Sequence, residues 1–180
     1  MENNDLVTLA PADADDLPAF KRELQEAFAV AVIEEFGALP DGPIPADDDL
    51  DGAIAAPGAV VLRILRDGRK VGGAIVTIDA RTQQNTLDLF FITLGNHGHG
   101  LGFKAWTAIE RMFPETLTWQ THTPYFEKRN IHFYVNKCGF RIVEFFSARH
   151  PDPHGPDADD LPGGGEAFRF EKVMAAAPRP

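Results

Sequence analysis

The 180-residue chain has one cysteine, Cys138, so no internal disulfide can form. A reducing, intracellular setting is the expectation that follows. Positive charge is also scarce: 17 lysines and arginines stand against 27 aspartates and glutamates, a formal balance of -10. A surface of that sign repels phosphate backbones, and no basic stripe interleaved with aromatics offsets it, which excludes nucleic acid as the expected partner. A cationic amine is easier to accommodate, although net charge speaks mostly to solubility. The opening MENNDLVTLAPADADD has neither the basic start nor the apolar core of a secretory signal. No apolar run approaches the ~20 residues that cross a bilayer. A cytoplasmic protein with no membrane partner is expected.

What is present is the composition of an ordinary globular chain, 44% hydrophobic and 24% charged. Its length suits one domain with a proper core and is short for two. Leu6 to Leu9 reads as a strand. Asp13, Asp15, Asp16 and Pro18 signal a helix start, and Phe20, Leu24, Ala27, Phe28, Ala31 and Val32 recur at helical spacing up to Gly37. Leu39 to Pro45 reads as loop, and Asp47 to Asp49 cap a short second helix. From Ala59 the period changes to two. AVVLRILR and KVGGAIVTID are strands joined by the hairpin signal Asp67-Gly68, and Thr86 to Thr93 is a third. A helix over about 101–113 follows, then a strand over Leu117 to Thr121. Next come a helix over about 126–138 stopped by Gly139, and a strand over Phe140 to Phe146. His150 to Gly165 is loop, Phe168 to Val173 a last strand, and MAAAPRP a frayed tail. The order is an α/β mixture with an antiparallel meander at its centre and at least one parallel step.

The segment FFITLGNHGHGLGFKAW, from Phe90 to Trp106, carries the first chemistry. A strand, then glycines at Gly98, Gly100 and Gly102, then a helix start together make an anion site, because free N–H groups and the helix dipole converge there. The spacing fits neither the dinucleotide fingerprint nor the nucleotide-hydrolase phosphate loop. Alternation of glycine after a meander resembles motif A of the GNAT family of acetyl-CoA-dependent N-acetyltransferases, with His97 where glutamine or arginine is usual. A second segment, EKRNIHFYVNKCGFRIVEFF, resembles the family's last helix and strand through Asn130, Phe133, Tyr134, Gly139 and Phe140. The resemblance spans roughly Val60 to Val173.

It implies one GNAT-type domain over 1–180: a mixed, mostly antiparallel sheet of six to seven strands flanked by about four helices. Residues 1–58 would hold the first strand and the acceptor-side helices, 59–146 the CoA-binding core, and 147–174 the loop and last strand. It further implies an N-acetyltransferase that moves an acetyl group from acetyl-CoA to a primary amine, small molecule or peptide, directly in a ternary complex. The pantetheine arm would pair with backbone along Phe91, Ile92, Thr93 and Leu94 in a cleft where two strands splay apart. An N–H near Ile92 would polarise the thioester carbonyl. The diphosphate would rest on the amides of His97, Gly98, His99, Gly100, Leu101 and Gly102, Asn130 would hold the pantetheine amides, and Phe133 would be a further cofactor-binding residue. Tyr134 would protonate the leaving thiolate.

For the amine's proton the candidates are Asp88, which alternation puts on the face of Phe90 and Ile92, and His122, just past the end of its strand. Each has a plainer alternative. Asp88 can be a polar residue on an open sheet face, Tyr134 a packing residue, and the histidines solvated loop residues that offer only their amides. His150-Pro-Asp-Pro-His154 has the look of a metal clip, but prolines stiffen a chain rather than gather ligands, and no metal is expected. Cys138 reads as a buried structural thiol. Other classes stay open: a catalytically silent CoA- or amine-binding module on this fold, or a transferase of a different acyl group. A homodimer is common in the family.

Overall fold

A computed structural model describes residues 6–39, 42–155 and 163–175. Its seven strands are β1 (Val7–Pro11), β2 (Ala59–Arg66), β3 (Arg69–Thr77), β4 (Gln84–Ile92), β5 (Thr118–Pro124), β6 (Arg141–Phe146) and β7 (Ala167–Val173). They form one sheet in the order β1-β2-β3-β4-β5-β7-β6. Every neighbouring pair is antiparallel except β4 and β5, which the crossover helix makes parallel. The helices are α1 (Leu17–Phe36), α2 (Asp47–Ala55), α3 (Leu101–Met112) and α4 (Lys128–His132), the last running straight into a π turn over Phe133–Lys137. The mixed, mostly antiparallel sheet with four helices is the expected fold class.

The local reasons are legible residue by residue. Asp67 and Gly68 both take positive φ, 50° and 78°, the pair that a tight two-residue hairpin requires. Gly72 stands where β3 passes β4 so closely that a Cβ would lie 2.3 Å from the Phe91 carbonyl oxygen. The sheet's two faces are covered separately. Phe20, Leu24 and Leu50 from α1 and α2 pack on Ile75 and Phe91. On the other face Trp106 and Ile109 of α3 meet Leu62, Val76, Leu87, Trp119 and Tyr134. Trp106 and Trp119 meet edge to face with centroids 5.3 Å apart, a geometry that aromatic quadrupoles favour.

Three expectations change. On β4, Leu89 pairs with Ile75 and Leu87 with Val76, so Asp88 is an extra residue in a bulge. The bulge reverses the alternation: Leu87, Phe90 and Ile92 join the α3 face, and Leu89 and Phe91 the α1 face. Asp88 therefore sits with Thr77 and Thr86 on the α1 face and not with Phe90 and Ile92. Second, β5 runs on to Pro124 because β7 pairs it throughout, so His122 lies inside the strand, opposite Arg169. Third, the last helix is only five residues of α before the π turn. There the Cys138 N–H donates to the Phe133 carbonyl at 3.0 Å.

Of the loop expectations, residues 40–41, 156–162 and 176–180 lie outside the described residues, as do residues 1–5. Among the described residues no helix is long and apolar enough to cross a membrane.

Candidate functional site

The parallel pairing of β4 with β5 covers only Gln84 to Leu87 and Thr118 to Thr121. Beyond Leu87 and Thr121 both strands continue, to Ile92 and Pro124, without pairing. The two strands splay apart there. The last link is a side chain: Thr121 Oγ1 donates to the Leu87 carbonyl at 2.9 Å. Tyr134 lies beside that link on the α3 face, with its phenol in hydrogen-bond reach of Thr121. The π turn accounts for its aim, since one extra residue in the turn rotates the following side chains relative to an α-helix. Phe133, Phe140 and Phe170 surround the ring at 5.4–5.7 Å, and only 5% of the residue is exposed.

The splay opens into a cleft of about 740 Å³. One wall is β4 and the loop after it: Phe90, Phe91, Ile92, Leu94, His97 and Gly98. The N-terminus of α3 adds Gly100, Leu101, Gly102 and Phe103. The opposite wall is α4 and its π turn, with Glu127, Arg129, Asn130, His132, Phe133 and Lys137. Helix α1 closes the remaining side with Ala27, Phe28, Val30, Ala31 and Glu34. Phe90 and Phe133 stack across it at 5.8 Å.

At the loop end, Gly98 and Gly100 have φ of 99° and 69°, and nothing lies within 4 Å of where their Cβ atoms would be. Among the described residues no acceptor faces the amides of His97, Gly98, His99 and Gly100. Four backbone donors at a helix N-terminus, with open space above the glycines, can hold an anion.

Ten of the twelve residues expected to bind cofactor therefore border one cleft: Phe91, Ile92, Leu94, His97, Gly98, Gly100, Leu101, Gly102, Asn130 and Phe133. Thr93 does not, and its N–H is already given to the Val71 carbonyl at 2.9 Å. His99, with φ 57°, is not among the lining residues either.

The residues expected to do acid–base work divide. Tyr134 is behind the cleft wall at the point where the strands part. Burial first, then the neighbouring Cys138 thiol and Glu127 carboxyl, hold its phenol well above the usual range against the pull of Thr121. Asp88 and His122 stand on the other face of the sheet, outside the cleft lining, and interact electrostatically. Asp88 accepts from Thr77 Oγ1 at 2.6 Å and Thr86 Oγ1 at 2.9 Å. Desolvation raises its carboxyl, and the two hydroxyls oppose that rise. His122 lies flat on Phe146 at 6.0 Å, and desolvation lowers it.

Of the other singled-out residues, Cys138 is buried, which pushes its thiol up to about 12 and makes it inert. His150 pairs with Glu144 at 3.1 Å. Among the described residues no group of three metal-ligating side chains occurs.

One residue sequence reasoning missed is Glu127. It lies at the start of α4 and lines the cleft, yet is only 7% exposed. Asn130 Nδ2 donates to its Oε2 at 3.1 Å, and no cation pairs with it among the described residues. Burial, with Glu34 adding, raises its carboxyl to about 7. In the sequence it reads as one more acidic residue favouring a helix start.

No family model matches the chain. The uncharacterized protein YrkN of Bacillus subtilis (strain 168) is 52% identical over 178 residues, covering 96% of each chain. The ribosomal-protein-S18-alanine N-acetyltransferase of Escherichia coli superimposes with a TM-score of 0.68 at 15% identity, over 96% of each chain. A GNAT family acetyltransferase of Elizabethkingia anophelis with acetyl-CoA bound gives 0.65 at 12% identity, over 97% of this chain and all of that one. A Bacillus subtilis acetyltransferase in complex with CoA gives 0.64 at 16%, over 96% and all. The chain belongs to one family with YrkN and has the GNAT fold. On that fold this chain carries the β4–β5 splay, the glycine loop before α3 and Tyr134 after α4.

Proposed function

We propose that the protein is an acetyl-CoA-dependent N-acetyltransferase that acetylates a primary amine by direct transfer. The observation that carries this reading is the position of Tyr134, at the point where β4 and β5 part, next to a cleft that ends on four free backbone amides. A pantetheine arm laid along the unpaired edge of β4 would add a strand there, as extended ligands do at open sheet edges. Its diphosphate would take the amides of His97 to Gly100, and its thioester would lie near the splay. The bound acetyl-CoA and CoA of the two solved GNAT structures support the same use of this fold here.

With the thioester so placed, the amine's lone pair attacks the carbonyl carbon, the C–N bond forms and the C–S bond breaks. A phenol held above its usual range stays protonated at neutral pH, so Tyr134 can give its proton to the leaving thiolate but cannot serve as the base that takes the ammonium's proton before attack. Asp88 and His122 stand across the sheet, outside the lining of this cleft, and take no step in this reading. An acetyl group is the acyl unit named for the solved neighbour with its donor bound, and it is the one we assign.

The test is direct binding of acetyl-CoA by calorimetry, with Gly98→Ala as the control. A methyl at φ 99° strains the backbone and projects into the open space over the loop. Strain of about 1–2 kcal/mol at that residue, where it opposes the bound conformation of the loop, corresponds to a roughly 5- to 30-fold loss of affinity. Equal affinity of Gly98→Ala and the wild type would take the diphosphate away from this loop.

A further inference from the structure

Two carboxylates, Glu34 of α1 and Glu127 at the N-cap of α4, line the same cleft, and the transferase reading requires an amine to reach it. Glu34 has Arg129 for company, at 3.9 Å. Glu127 has only the neutral Asn130 amide, although it is the more deeply buried of the two. An ionised carboxyl with a single hydrogen bond and no counter-ion is an expensive thing to bury, because desolvation penalises the charge and nothing repays it. A fold keeps such a group where a ligand completes it. Here the group faces a cleft that water and a substrate can enter.

The charged and titratable groups around it come from three elements. Glu34 faces it from α1, and Arg129, His132 and Lys137 line the cleft along α4 and its π turn. His97 borders the same cleft from the loop. Tyr134 is close enough that the Glu127 carboxylate adds to the cost of ionising its phenol. Asp88 and His122 do not border the cleft.

We propose that Glu127 receives the acceptor's ammonium group and takes the proton it must lose before attack, which makes the acceptor a cationic primary amine. This rests on the transferase reading above. The protons balance as follows. Glu127 accepts one from the ammonium and passes it to water through the open end of the cleft. The neutral amine forms the C–N bond as the C–S bond breaks, and the thiolate takes the phenol proton of Tyr134. The second proton leaving the nitrogen restores the phenol, so one proton is released per acetyl group transferred. A base must be ionised to work. Turnover therefore rises with pH through the value of about 7 to which burial brings Glu127, and levels above it.

The experiment compares wild type, Glu127→Gln, Asp88→Asn and His122→Gln. It measures acetyl-CoA affinity by calorimetry and the pH profile of kcat/KM for thiol release, with spermidine, an aminoglycoside and a peptide bearing a free α-amino group as probes. In the wild type a single rising limb is expected near pH 7. In Glu127→Gln the limb disappears and the plateau falls by roughly 10²- to 10⁴-fold, the usual worth of a general base. Acetyl-CoA affinity is retained. Asp88→Asn and His122→Gln keep the limb, whatever their rates. A limb that persists at the same pH in Glu127→Gln overturns the assignment, as does a Glu127→Gln protein whose only defect is lost acetyl-CoA affinity. A wild type that binds no acetyl-CoA, or binds it and releases no thiol with any amine, overturns the transferase reading and this inference with it.

Discussion

Replacing Tyr134 by phenylalanine is expected to leave acetyl-CoA affinity intact and to lower turnover by roughly two to four powers of ten, the range that a positioned proton donor contributes. The two halves of that expectation come from different features of the residue. The ring is packed by Phe133, Phe140 and Phe170, and phenylalanine keeps those contacts. Only the hydroxyl disappears. It stands beside Thr121 at the last pairing of β4 with β5, where a thioester carried along β4 would arrive. The alternative, that Tyr134 merely packs, leaves turnover unchanged in the same variant. Thermal unfolding monitored alongside separates loss of the proton donor from loss of the fold.

The second large effect concerns the helix that walls the cleft. Arg63 of β2 is 2% exposed and bonds Asp16 at 2.6 Å and Glu23 at 2.7 Å, one on each side of the start of α1. Its guanidinium also lies over Phe20, 5.1 Å from the ring centroid. Arg63→Ala removes one member of a buried ionic cluster and leaves the others behind, a change that costs about 3–5 kcal/mol. Chemical denaturation at pH 7 measures it.

The pH dependence has a definite sign. Hydrogen bonding to Arg63 first, and then to Lys70, holds the Asp16 carboxyl down at about 2, below the 3.8 of a free aspartate. Its contribution is therefore present above pH 3.8 and is lost as the pH falls through about 2. The difference between Arg63→Ala and the wild type should narrow over that window. Because α1 presents Phe28, Ala31 and Glu34 to the cleft, the same variant should weaken acetyl-CoA binding under conditions where it is still folded.

Much of this arrangement is legible in the sequence because its determinants are local. Gly98 and Gly100 announce a loop that needs positive φ, and Asp67-Gly68 announces a hairpin. The run EKRNIHFYVNKCGF announces the helix that brings Tyr134 in, but not the π turn that aims it. What escapes the sequence depends on partners far along the chain. The phase of LDLFFI is ambiguous, since apolar residues face both sides of a sheet covered by helices on both faces. The bulge at Asp88 is set by β3, and it is the bulge that moves this carboxylate to the α1 face.

The length of β5 is decided in the same way by β7, whose Phe168 and Ala167 pair with Thr123 and Pro124 and carry the strand past His122. Glu127 is the plainest case. Read alone, it is a solvent-facing acid at a helix start. It becomes a buried carboxyl with a raised pKa because the fold brings α1, with Glu34, to the same cleft. The Phe36–Phe126 contact at 5.1 Å marks where the two elements meet.

The measurement closest to the central claim is thiol release from acetyl-CoA by the wild-type protein, with and without a cationic primary amine, followed by mass analysis of the amine. The expected result is amine-dependent release, with one acetyl group on the amine for each thiol freed. Tight binding of acetyl-CoA with no amine-dependent release from any of the probes would contradict it. That result would identify the chain as a CoA-binding module on the GNAT fold.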